Sequence, residues 1–108
     1  MKIDFNDIVK LAQGTAMDVW GPRAPDKIIE KLKEEVNELE QAWKITQCQN
    51  VEQTSVKFDV MKELGDVLFC IVRFAHNIGI SPQDALALTI VKIQEREKFG
   101  VAKKKEIL

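Results

Sequence analysis

The chain has 108 residues, the size of one domain with a single core. Its 16 Lys and Arg against 17 Asp and Glu leave a net charge of −1, which excludes the basic surplus needed to grip nucleic acid through counterion release. No apolar run approaches the roughly 18 residues of a membrane span. The N-terminus is broken by acids and does not read as a secretory signal, and Cys48 and Cys70 fit no zinc or disulfide spacing. A reduced, cytoplasmic setting is expected, with no membrane and no nucleic acid as partner.

The spacing predicts helices almost throughout. Asp4 is placed to cap a first helix whose apolar positions Phe5, Ile8, Val9, Ala12, Ala16 and Trp20 keep helical period. Gly21-Pro22-Arg23-Ala24-Pro25 stops it, because proline cannot continue the hydrogen-bond ladder. Asp26 is then expected to cap a second helix running to about Cys48. The polar stretch Gln47 to Ser55 reads as a connection whose last residues can already be helical. A third helix is expected over about Val56 to Asn77, ending at Gly79. Ser81-Pro82-Gln83-Asp84 combines a serine cap, proline in the first turn and an acid three residues on, so it starts a fourth helix that runs to about Phe99 and stops at Gly100. Residues 1–100 thus form the domain, and residues 101–108 form a basic tail.

On the second helix Ile28, Ile29, Leu32, Val36, Leu39 and Trp43 fall on one face, with Trp43 expected in the core. Glu34 points to water, while Glu35 and Glu38 lie on the flank of the apolar stripe, three apart and on one side. The third helix is apolar around most of its circumference, yet Asp59, Glu63, Asp66 and Arg73 run along it as a narrow polar stripe. Such a helix belongs at the centre of a bundle. Consecutive helices pair antiparallel across a short connection, which brings the pair Glu35 and Glu38 towards the pair Glu63 and Asp66. Carboxylates crowded in a half-buried space repel and need a counter-charge. Either basic side chains such as Arg73 or a lysine supply it, or a hard divalent cation does. Asp59 is expected to pair with a lysine. Trp20 either stacks on a base or closes the first helix against the core.

The same residues carry a family resemblance. Glu34-Glu35-Val36-Asn37-Glu38 reads as EExxE and Glu63-Leu64-Gly65-Asp66 as ExxD. Together with Val67-Leu68-Phe69, Ala75 and Gly79-Ile80-Ser81, this pattern resembles the all-α nucleoside triphosphate pyrophosphohydrolases of the MazG type over about residues 20–100. The resemblance implies an all-α, four-helix MazG-like bundle. It implies Mg²⁺, or Mn²⁺, held by Glu35, Glu38, Glu63 and Asp66. Hydrolysis of a (deoxy)nucleoside triphosphate to the monophosphate and pyrophosphate would follow, with Glu38 favoured over Glu35 as the group that takes a proton from water. Lys92 and Arg96 match the family's Lys-x-x-x-Arg pair and would hold phosphates. Ile90 and Ile93 stand where relatives often carry asparagine and phenylalanine. The third helix carries more apolar surface than three small neighbours can cover, which with the family's habit implies a homodimer or homotetramer. The competing readings are a related phosphoribosyl-ATP pyrophosphohydrolase and a non-catalytic oligomeric helical module.

Overall fold

The computed structural model describes residues 4–48 and 53–98. Four helices follow one another: α1 (Phe5–Val19), α2 (Pro25–Cys48), α3 (Gln53–Asn77) and α4 (Pro82–Lys98). The expected stop at Gly100, the basic tail and residues 49–52 lie outside the described residues; of the expected connection, Gln47 and Cys48 belong to α2, and Gln53, Thr54 and Ser55 already belong to α3.

Local chemistry explains where each helix begins and ends. The Asp4 carboxylate accepts the Asp7 N–H at 2.8 Å, satisfying a donor that the first turn leaves free. At the other end Gly21 takes φ +69°, and its N–H donates to the carbonyls of Ala16 and Met17. Pro22 and Pro25 then bar continuation. α2 starts two residues earlier than a cap at Asp26 implied. Pro25 occupies the first helical position and Asp26 lies in the first turn, while the Ala24 carbonyl accepts from Lys27 and Ile28 at 3.0 and 3.2 Å. Proline has no N–H to strand there and its ring already holds helical φ, so it opens the helix better than the acid caps it. α3 closes as its sequence suggested. Gly79 takes φ +72° and the Ile80 N–H reaches back to the Ala75 carbonyl at 2.9 Å. Ser81 Oγ accepts the Asp84 N–H at 3.2 Å and starts α4.

α2 and α3 pack antiparallel and share the most extensive contact, α1 lies against α3, and α4 touches the end of α3. Their contact is a seam of alternating steps of four and three. On α2 it runs through Ile28, Leu32, Glu35, Leu39, Ala42 and Thr46; on α3 it runs through Val60, Glu63, Val67, Cys70, Phe74 and Asn77. All twelve positions are buried or half-buried. Two of them are acids, which fixes where the site lies.

The seam also corrects one expectation. Trp43 is 56% exposed rather than in the core, and Val36 is exposed beside it. Neighbouring residues point about 100° apart, so a seam through Ala42 turns Trp43 outward. A second apolar row on α3, formed by Met61, Leu64, Leu68 and Ile71, likewise faces out. α4 departs from the axis of α3 at 104°, and its residues from Asp84 to Lys98 are all exposed. Among the described residues no single helix is long and apolar enough to cross a membrane.

Candidate active site

Glu35 and Glu63 meet because each occupies a seam step that is otherwise apolar. Asp66 stands three residues beyond Glu63, on the same side of α3. One carboxylate oxygen from each of Glu35, Glu63 and Asp66 falls within 4.8 Å of the others. Glu35 is 6% exposed, and Oε2 of Glu35 and Oε2 of Glu63 are buried with no hydrogen-bond partner. Buried carboxylate oxygens of this kind need a proton or a cation. An all-oxygen donor set with no nitrogen or sulfur suits Mg²⁺ or Mn²⁺. The residues present therefore fit the ion that the sequence pattern implied.

Glu38 stands one turn further along α2, exposed at the rim. Its carboxyl is held above the usual range by a shared hydrogen bond with Glu35 and by the negative charges of Glu35 and Glu63. Glu34 points away, as expected, into a 3.6 Å ion pair with Lys31. The counter-charge that the sequence left open is in part a lysine: Lys31 Nζ lies 3.0 Å from Oε1 of Glu35. The hydrogen bond and charge of Glu35 hold the Lys31 ammonium above its usual pKa. Asp59 pairs with Lys62 at 3.5 Å, again as expected.

The acids separate two clefts. One, of about 290 Å³, is lined by Glu38 and Glu63 together with Gln41, Ala42, Asp59 and Lys62. The other, of about 360 Å³, is lined by Glu35 and Asp66 together with Trp20, Arg23, Lys31 and Arg73. Arg73 makes no ion pair with Glu63 or Asp66. The residue is 9% exposed; its guanidinium lies 5.2 Å from the Trp20 ring centre, and Nη2 donates to the Gly21 carbonyl at 3.3 Å. Phe69 meets Trp20 edge to face at 5.6 Å. Trp20 is thus docked on α3, yet it stays 59% exposed and lines the second cleft. Cys70 lies on the floor of the same cleft, its thiol pushed up by burial and then by the charge of Glu35.

Lys92 and Arg96 share the exposed surface of α4 and line neither cleft. The cations beside the acids are instead Arg23, Lys31, Lys62 and Arg73. Lys31 was legible as a neighbour of Glu35, being four residues before it on one helix. Arg23 and Lys62 gave no such signal: one lies in a loop, and the other pairs locally with Asp59.

Residues 23–101 match the family described as the MazG nucleotide pyrophosphohydrolase domain. No curated protein and no solved structure matches the chain. The match spans most of the chain and contains all four acids, so the protein belongs to the MazG nucleotide pyrophosphohydrolase family.

Proposed function

We propose that the chain hydrolyses nucleoside triphosphates to the monophosphate and pyrophosphate, with Mg²⁺ or Mn²⁺ held by Glu35, Glu38, Glu63 and Asp66. The observation that carries this reading is the convergence of Glu35, Glu63 and Asp66, two of them with buried, unpartnered oxygens. When bound, the ion supplies Lewis-acid polarisation of the phosphate and a more acidic water. Glu38 takes the proton of the attacking water from the open rim. Glu35 is the other candidate for the proton. Trp20 offers an aromatic face to the nucleobase. Lys92 and Arg96 steady the β- and γ-phosphates and the departing pyrophosphate, a purely electrostatic role. Because both lie outside the clefts of a single chain, this last role calls on a second copy.

The test is product analysis on a panel of ribo- and deoxyribonucleoside triphosphates with Mg²⁺, with Mn²⁺ and with chelator. Metal-dependent monophosphate and pyrophosphate are expected. Orthophosphate as the product, or turnover indifferent to chelator, rejects the reading. Turnover of phosphoribosyl-ATP alone moves the assignment to that related reaction.

A further inference from the structure

Lys31 decides the charge balance of the acid cluster. Its Nζ lies 3.0 Å from Oε1 of Glu35 and 3.6 Å from Oε2 of Glu34. Four residues separate Lys31 from Glu35, a little over one turn, so the pair forms along a single helix face. The two ends of the pair differ in freedom. The Glu35 side chain is 8% exposed and held in the seam, whereas that of Lys31 is 45% exposed on a flexible stem. Arg23 and Arg73 line the same cleft, but neither makes an ion pair with Glu35. The ammonium is therefore the cation on this carboxylate, and it covers one oxygen while the other stays unpartnered.

A divalent ion on Glu35 and an ammonium at hydrogen-bond distance from it repel each other, and the mobile partner gives way. We infer that Lys31 is a built-in competitor for the metal at Glu35, which a divalent cation displaces from that carboxylate within the cleft Lys31 already shares with Arg23 and Arg73. There three cations then face the polyphosphate of the substrate. Metal entry and substrate binding are coupled as a result: the ion frees the lysine that helps to hold the phosphates. This inference rests on the metal site proposed above and assigns Lys31 a role that none of the four acids has.

The experiment measures Mn²⁺ binding without nucleotide, from the electron paramagnetic resonance of the free ion. It compares wild type with Lys31→Met, Lys31→Arg and Lys33→Met. Lys33 is exposed with no ion pair among the described residues, so its variant controls for the lost charge alone. Lys31→Met should tighten Mn²⁺ binding by about twofold to fivefold, the scale of a partly exposed ion pair. Lys31→Arg and Lys33→Met should stay near wild type. Equal or weaker binding by Lys31→Met overturns the competition, and Lys31→Gln replaces it should the methionine variant fail to fold. Absence of Mn²⁺ binding by wild type removes the metal site itself, a separate outcome. At saturating Mn²⁺, Lys31→Met should also bind a non-hydrolysable α,β-methylene triphosphate about threefold more weakly. Unchanged affinity there overturns the role of the freed lysine in holding phosphates.

Discussion

Glu35 and Glu38 make opposite demands on the protein before metal enters. Glu35 is buried and keeps a lysine; Glu38 is exposed, but the charges of Glu35 and Glu63 oppose its ionisation. A carboxyl whose pKa is raised on folding favours the native state while it is protonated. Stability is lost as pH rises through that elevated value. Glu38→Gln should therefore raise the melting temperature of the chelator-treated protein near neutral pH. The gain should vanish towards about pH 4, where the wild-type carboxyl is already protonated. Scanning calorimetry at the two pH values checks this, and an equal gain at both would assign the effect to something other than charge. Catalysis gives a second prediction at this scale. Glu38→Ala and Asp66→Ala should each lower pyrophosphate release at least about a thousandfold while circular dichroism stays helical. Metal-dependent turnover surviving in both variants would remove these two residues from the site. That Glu35, Glu63 and Asp66 approach one another was legible because i, i+3 spacing on two helices leaves few directions for acids to point. Arg73 was legible only as a charge in an apolar helix. That it serves Trp20 and Gly21 depends on how α1 lies against α3, which local spacing does not encode.

At the scale of the helices, stops and starts were the most readable features, because glycine, proline and capping side chains act within a few residues. Gly79 shows the cause plainly: φ +72° is a region where a Cβ is strained, and no atom lies within 4 Å of where that Cβ would go. Gly79→Ala should then cost about 1 kcal/mol from backbone strain alone, read as a lower urea midpoint with an unchanged slope. A loss well beyond this would mean that the turn between α3 and α4 packs against something else. Trp43 shows where reading by periodicity ends. Averaging the apolar residues of α2 gives a broad stripe centred between Leu32 and Trp43, but packing selects a narrower line displaced towards Glu35. Which edge of a broad stripe meets a neighbour depends on the register of that neighbour. The acids shift it here: Glu35 takes the seam and Trp43 gives it up.

The molecule as a whole leaves more apolar surface open than a small bundle tolerates in water. Met61, Leu64 and Leu68 on α3, Val36 and Trp43 on α2, and Leu86, Leu88, Ile90 and Ile93 on α4 are all exposed. The only fully buried large side chain among the described residues is Ile28. Contiguous apolar rows of this extent mark association surfaces, so light scattering at micromolar concentration should return a homodimer or homotetramer, and a monomer would refute it. Assembly bears directly on the site, because Lys92 and Arg96 lie on α4 where it leaves α3 at 104°. Two inactive variants decide whether they act across copies: Glu38→Ala, and Lys92→Ala combined with Arg96→Ala. In a dimer whose site takes its acids from one copy and its phosphate-holding cations from the other, an equal mixture forms hybrids in half of the dimers. Each hybrid rebuilds one intact site of two, so about a quarter of the wild-type activity should return. Recovery at that level places α4 of one copy beside the acids of its partner. No recovery leaves the phosphates to the cations that already line the acidic cleft of the single chain: Arg23, Lys31 and Arg73.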